Sequence, residues 1–541
     1  MFLLYSILAI VGYFAFFHKK RRLRLPPGPP GKFLFGNLGD LPGRDELEGK
    51  YWLQHKKIYG PISSVNALGK CIIILNEARL AVQLLDKRSA LYSSRPQLNF
   101  IDMSGWGENL ATARSPERVR QMRKYISQEI GSNRSLSRFN EMQTKEAAWF
   151  LLRVLKSPDN LQQHIRKEAG AVIVKIGYGY TVDPHSSDPL VNIADRAMAD
   201  FGVAFIASSW AVNFFPVLKY MPAWMPGAGF VKVAQAHRKS AGALNNVPYE
   251  FVKRQMAEGK SGNSFVSNIL QNSPSISAGE EDVLKYAAGS LYAGGADTTV
   301  SSLANFFLAM ALLPEIQDKA QQELDTVIGE NQLPQLIDQE RLPYINAVVK
   351  EVLRWQPVVP MGLPHVSIQD DTCEGYDIPK GAIVLANIWY SSSLSSVCVF
   401  FHILIYDRAF THDETVYHDP MQFKPERFLS SDSSGPEQDP HSLVFGFGRR
   451  VCPGRALADA NIFLAIAQSL AVFRISKPVR DGNEEEINPR WLPGLLCHLA
   501  PYKVSVQPRS EVHREIVLSL EREYPWEKSD AEGLQESDIS V

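Results

Sequence analysis

One cysteine in this chain stands where chemistry would be expected. In the loop Phe445-Gly446-Phe447-Gly448-Arg449-Arg450-Val451-Cys452-Pro453-Gly454-Arg455, Cys452 lies among glycines and arginines. An apolar stretch with helical character, Ala456 to Phe473, follows directly. Glycines allow positive φ and let the backbone approach a flat ligand. Pro453 suits the first turn of the helix that follows. Cys452 is then expected at a helix N-terminus, where the dipole and the free N–H groups favour the thiolate over the thiol. A lone cysteine more often serves as a small buried hydrophobe. Here Phe445, Gly448, Arg450, Cys452 and Gly454 make up the pattern F-x-x-G-x-R-x-C-x-G, which is far more specific than a cysteine alone.

A thiolate so placed can be the axial ligand of a haem iron, pushing electron density towards O–O cleavage. The pattern resembles the haem-binding signature of the cytochrome P-450 superfamily, the haem-thiolate monooxygenases. The resemblance covers about residues 25 to 508. It implies heme b (iron protoporphyrin IX) with Cys452 as axial ligand. Phe445, Gly448, Arg450 and Gly454 would form the cofactor's cradle.

A second motif interrupts the long helical stretch from Glu281 to Leu313. Ala293-Gly294-Gly295-Ala296-Asp297-Thr298-Thr299 is a run of poor helix-interior residues, costing up to about 1 kcal/mol each. Such local violations gather where function is. Alone, Asp-Thr-Thr reads equally as an N-cap or a kink. With the two glycines before it and the cysteine loop after it, it resembles the family's oxygen-side motif. That likeness implies a local opening of the helix, with Thr298 and Asp297 as the proton-delivering pair.

Glu351-Val352-Leu353-Arg354 puts an acid and a base on one helix face, by itself a commonplace i, i+3 pair. It resembles the family's E-x-x-R, whose third partner would be Arg427 of Pro425-Glu426-Arg427-Phe428. The trio Glu351, Arg354 and Arg427 would lock the segment leading to the cysteine loop. Arg123, on the basic helix Arg118 to Ile130, takes the place of an arginine that binds a haem propionate, although Val119 replaces the usual tryptophan. A solvated cationic helix face is the alternative there. His365, after Pro364, occupies another propionate-contacting place.

These residues need a large helical body, and composition allows one. The chain has 541 residues, 45% hydrophobic and 21% charged, with a formal net charge of −1. That balance argues against an electrostatic nucleic-acid binder. Five widely spaced cysteines form no disulfide framework and fit a reducing compartment. Residues 1–17 are almost wholly apolar and a basic run follows. A helix there would be about 24 Å long against a bilayer core of about 30 Å, with snorkelling to make up the difference. Charge after the apolar run is the reverse of a cleaved signal peptide, so an uncleaved transmembrane anchor is expected, with the remainder in the cytosol. An interfacial N-terminus is the alternative. Residues 18–35 read as a basic, proline-rich hinge, stiff and extended over Leu25 to Gly31. Gly60 to Leu75 reads as strand with a turn at Gly69. For the aromatic and proline-rich stretch Phe201 to Phe230, the resemblance implies a roof over the substrate channel that dips towards the membrane; an ordinary long apolar loop is the alternative.

Two segments depart from the family pattern. Tyr390–Arg408 stands between the strand ending at Trp389 and His412-Asp413, beginning with serines and then turning apolar. It lacks the periodicity of a packed element, and excising it restores the family spacing. TGG, the tryptophan codon, followed by a tyrosine codon contains GTA, and an AGR arginine codon would supply AG. This segment therefore reads as a retained in-frame intron, with a membrane-facing or partner-binding loop as the alternative. Transcript reads that all carry it would sink the intron reading. Residues 509–541 have nine Asp and Glu from Glu511 onwards against three Lys and Arg, and are expected to be a disordered acidic tail.

The expectation is a mainly α fold with a small β-region, a single large haem domain over 36–508 behind an N-terminal anchor. The resemblance, nearest to fungal members of secondary metabolism, implies monooxygenation of a lipophilic small molecule such as a terpenoid or polyketide. It also implies the endoplasmic reticulum membrane and a separate NADPH-dependent flavoprotein reductase docking near Arg449 and Lys124. A reductase-independent haem-thiolate isomerase or dehydratase is one rival. An inactive product of the 390–408 insertion is the other.

Overall fold

The structure, a computed structural model, describes residues 23–43, 45–388, 409–430 and 435–534. The expected anchor over 1–17 and the Tyr390–Arg408 segment lie outside the described residues. Helices carry the body. α1 (Pro116–Ile130) starts where Ser115 Oγ accepts from the Arg118 N–H and Pro116 takes the first position, both favoured at helix starts. α2 (Asn140–Lys156), α3 (Leu161–Tyr178), α4 (Pro189–Phe205) and α5 (Gly229–Ala257) follow. α6 (Ala278–Leu312) opens on a capping box between Ser277 and Glu280. Its neighbours include α1, α3, α4 and α5, so it buries residues on every side and shows no single apolar stripe.

The local opening expected in α6 is absent: the helix runs unbroken through Gly294 and Gly295. The two glycines do different work. A Cβ on Gly295 would sit 2.6 Å from Ile173 Cγ1, so the missing side chain lets α6 press against α3. A Cβ on Gly294 would meet nothing within 4 Å.

α7 (Pro343–Trp355) and α8 (Arg455–Val472) pack with α6 and with each other. α8 is apolar enough to cross a membrane by length and composition, yet 72% of it is buried as a core helix. The small β-region is a sheet of β1 (Ile62–Ala67), β2 (Lys70–Leu75), β3 (His365–Val366) and β4 (Ile383–Ala386), in the order β1-β2-β4-β3. β1 and β2 form a hairpin pairing Ile62 with Leu75 and Ala67 with Lys70; β4 runs parallel to β2. The hinge is docked rather than free. Ser64 donates its N–H to the Pro27 carbonyl at 2.9 Å and its hydroxyl to the Pro26 carbonyl at 2.6 Å.

The disordered acidic tail is a mistaken expectation. Glu511–Glu523 is a helix, α9, which buries Val517 and Leu520 and packs on α2. Beyond it, Trp526 stacks on Trp149 at 5.3 Å, and Glu527 reaches Lys145 and Lys175. Those lysines lie on α2 and α3, so the acidic charge that looked like a mark of disorder is paired across the fold.

The chain on either side of 390–408 is already joined by hydrogen bonds. The Thr411 N–H and hydroxyl both reach the Ile388 carbonyl at 3.0 Å, and the Phe410 N–H reaches that of Asn387 at 3.3 Å. Closing a 19-residue loop between two such points costs about 2–3 kcal/mol by the logarithmic law. Deleting Tyr390–Arg408, so that Trp389 meets Ala409, is therefore expected to raise folded yield and the thermal midpoint, or leave them unchanged. A deleted chain that aggregates or melts several degrees lower would show the segment to be an integral part of the fold.

Candidate active site

The cysteine loop is built by two constraints. Gly448 has φ +53°, and a Cβ there would lie 2.4 Å from the Leu85 carbonyl oxygen, so only glycine fits. The Cys452 N–H donates to the Phe445 carbonyl at 2.8 Å, closing the loop. Phe445 stacks at 5.5 Å on His441, which Asp439 and Asp459 flank and whose pKa their hydrogen bonds raise to about 9 against the cost of burial. Gly454 is the N-cap of α8, which begins at Arg455. Cys452 thus stands three residues before the helix, and Pro453 precedes it rather than occupying its first position.

The Cys452 thiol borders a cavity of about 350 Å³. Burial pushes its pKa up, and this outweighs the opposing pull of the Gly454 N–H and the Arg123 charge. A metal cation bound at the thiol would add to the pull of the helix end towards the thiolate. Across the cavity stand Gly294, Gly295, Thr298 and Thr299 of α6. The Thr298 hydroxyl donates to the Gly294 carbonyl at 2.6 Å. Asp297 is buried and absent from the cavity wall. Its Oδ2 lies 3.2 Å from His498 Nε2 and its Oδ1 3.9 Å from Arg166 Nη1, and Arg166 also pairs with Asp195 at 3.3 Å.

Four basic side chains line the cavity, and no acidic one does among the described residues. Arg123 donates to the Val451 carbonyl at 2.7 Å, beside the cysteine, while Lys124 and Arg120 keep the solvated face of α1. Arg450 donates to the carbonyls of Ser93, Leu110 and Ala113. Arg95, which no sequence pattern singled out, donates to Ala111, Leu363 and Pro364 carbonyls. His365 meets the Tyr92 carbonyl through Nδ1 at 2.7 Å. Burial lowers the pKa of Arg95 to about 9, of Arg450 to about 10 and of His365 to about 3, each helped by a neighbouring guanidinium. Buried cations held only by carbonyls require an anion. A flat dianion with a metal at its centre meets both demands: its propionates would face Arg95, Arg123, Arg450 and His365, and its iron would face Cys452. The residues fit haem.

Glu351, Arg354 and Arg427 meet in one cluster. Arg354 grips Glu351 with two hydrogen bonds of 2.7 and 2.8 Å, and Arg427 Nε lies 3.3 Å from the same carboxylate. Glu437, unnoticed in the sequence, is the counter-charge of Arg427 at 2.7 Å.

The chain matches the family model "Cytochrome P450" over residues 26–393 and 401–506, with the interruption inside Tyr390–Arg408. It is 44% identical over 513 residues to cytochrome P450 monooxygenase ppsD of Aspergillus oryzae, covering 94% of each chain. It is likewise 44% identical to cytochrome P450 monooxygenase claR of Ampulloclitocybe clavipes, over 95% of this chain and 92% of that one. O-methylsterigmatocystin oxidoreductase of Aspergillus flavus is 41% identical over 95% of this chain and 93% of its own. With Cys452, the basic wall and the α6 motif gathered round one cavity, the chain belongs to the cytochrome P450 monooxygenase family.

Proposed function

We infer that the protein inserts one oxygen atom of O2 into a lipophilic small molecule in fungal secondary metabolism, on the cytosolic face of the endoplasmic reticulum. The observation that carries this reading is the cavity itself, with Cys452 on one wall and Gly294 and Thr298 on the other. When bound, haem supplies the reduction of dioxygen and the oxidation of the substrate. The chain supplies the rest. Trp106, Met198, Phe201, Leu291 and Leu496 give the cavity an apolar lining, which excludes water and selects an apolar substrate. Open space at Gly294 leaves room beside the Thr298 hydroxyl, which orients a proton donor there, and Asp297 brings protons towards it.

A second cavity of about 140 Å³ lies between β2, β4 and the Phe205–Phe214 stretch, and shares Gly362 and Leu495 with the first. It suits a substrate path from the membrane side. Tyr220 and Trp224 are 76% and 79% exposed, and Phe33 89%. Apolar residues so exposed suit contact with a lipid surface, which the expected anchor would reinforce. Exposed Arg449 and Lys124 flank the Arg123–Val451 contact behind the cysteine and suit an acidic reductase surface. One relative is named as an oxidoreductase of O-methylsterigmatocystin, a small molecule, as is the lipophilic substrate proposed here.

Co-expression with a microsomal NADPH-dependent reductase under 18O2 is expected to yield a product heavier by one labelled oxygen atom. Turnover that needs neither NADPH nor O2 would overturn the reading in favour of an isomerase or dehydratase. Thr298→Ala is expected to divert electrons to hydrogen peroxide, lowering product per NADPH by about tenfold or more, less than the about 10²–10⁴-fold of a positioned proton donor because water can still supply protons. Unchanged peroxide would remove Thr298 from proton delivery.

A further inference from the structure

We propose that His498 recharges Asp297 with protons and holds its carboxylate away from the cavity until that transfer is made. This rests on the reading of Asp297 and Thr298 given above. Two basic side chains lie beside the Asp297 carboxylate, His498 Nε2 at 3.2 Å and Arg166 Nη1 at 3.9 Å. A guanidinium stays charged at every working pH and can only attract. An imidazole gives up and regains a proton near neutral pH, so only His498 can pass one on. The His498 side chain is 24% exposed and that of Asp297 only 11%. The histidine is therefore the solvent's contact and the aspartate is not. In the step, the Nε2 proton passes to Asp297 Oδ2, the neutral ring keeps its Nδ1 proton, and solvent restores the one lost. With the carboxyl neutral and the ring uncharged, neither His498 nor Arg166 holds it by charge, and it is free to turn towards Thr298.

The segment that carries His498 also senses the cavity. The Cys497 carbonyl accepts from Ser301 Oγ of α6 at 2.7 Å, and the Cys497 N–H donates to Val358 at 2.8 Å. Leu495 and Leu496, three and two residues before His498, form part of the cavity wall. A substrate pressing on those leucines bears directly on the backbone that positions His498. The charged groups facing His498 are Asp297 and Asp195, with Arg166 between them.

The test needs no substrate. The full-length holoenzyme with its reductase consumes NADPH and O2, making peroxide (two electrons, two protons) or water (four electrons, four protons). A poor proton supply shifts the balance to peroxide. In the wild type, peroxide per NADPH is expected to fall as pH falls, because acid favours the proton-carrying imidazole. His498→Ala and His498→Gln are expected to raise it at least twofold and flatten its pH profile, with the thiolate-type carbon-monoxide band intact. Gln can keep a hydrogen bond to Asp297 but has no titratable proton to hand on, so a purely structural role predicts rescue by Gln. That rescue, or wild-type ratios in both variants while Asp297→Asn raises peroxide, would overturn the proposal alone. No rise in Asp297→Asn would overturn the reading of Asp297 itself, and this proposal with it. Independently of turnover, the His498 imidazole resonances of 13C-histidine-labelled holoprotein are expected to move in Asp297→Asn; unmoved resonances overturn the proposed contact.

Discussion

Cys452→Ser is expected to abolish the thiolate-type Soret band of the reduced carbon-monoxide complex and to bring monooxygenase turnover to background. Haem is expected to remain bound in good part, because the guanidiniums of Arg95, Arg123 and Arg450, with His365 beside them, still face its carboxylates. Haem content and haem ligation should therefore separate: the haemochromogen assay would read near normal while the Soret band moves. No other described cysteine can substitute. Cys71, Cys373 and Cys497 are buried away from the cavity wall. Burial raises the pKa of Cys71 to about 11 and that of Cys497 to about 12, so neither is poised as a thiolate. An unchanged thiolate band in Cys452→Ser would place the ligand elsewhere and overturn the site. Loss of all haem would mean that the axial bond, rather than the basic wall, retains the cofactor.

How much of this was legible in the sequence depends on how local each constraint is. The cysteine loop, the α6 motif and the E-x-x-R pair are short runs whose function needs fixed spacing, so they could be read from a single chain. Arg95 could not. Its role depends on carbonyls at Leu363 and Pro364, far away in the chain, and nothing beside it in sequence marks it as buried. Glu437 and His498 were invisible for the same reason: each becomes meaningful only against Arg427 or Asp297. The C-terminal segment was misread because its acidic residues were counted without their partners. Val517, Leu520 and Trp526 carried the apolar signal, and Lys145 and Lys175 wait on helices much earlier in the chain. The α6 glycines were read as one device. The structure separates them, because whether a glycine is for packing or for space depends on what faces it.

Arg354→Ala is expected to be as damaging as loss of the cysteine, by a different route. Arg354 is fully buried and its guanidinium is saturated. It holds Glu351 in a fork and donates to the carbonyls of Thr411 and Pro420 at 2.8 Å and of Gln422 at 3.1 Å. Truncation leaves three carbonyls short of a donor and the Glu351 carboxylate dependent on Arg427 and the Lys424 N–H. Breaking a buried pair from one side costs about 3–5 kcal/mol, against a total stability of about 5–15 kcal/mol. Lys is no remedy, because a single ammonium cannot serve two carboxylate oxygens and three carbonyls in a planar fork. Arg354→Ala and Arg354→Lys should therefore both accumulate as haem-free, aggregation-prone protein. Cys452→Ser, in contrast, should keep its fold and lose only the cofactor's axial bond. The reason lies in what the cluster anchors. Arg354 and Arg427 clamp the chain from Thr411 to Gln422, which leads towards the cysteine loop. Circular dichroism, thermal unfolding and haem content of the two variants would decide. A soluble Arg354→Ala protein that melts with the wild type and binds haem fully would show that the buried cluster is dispensable, and that the cysteine loop is held by its own glycines and hydrogen bonds.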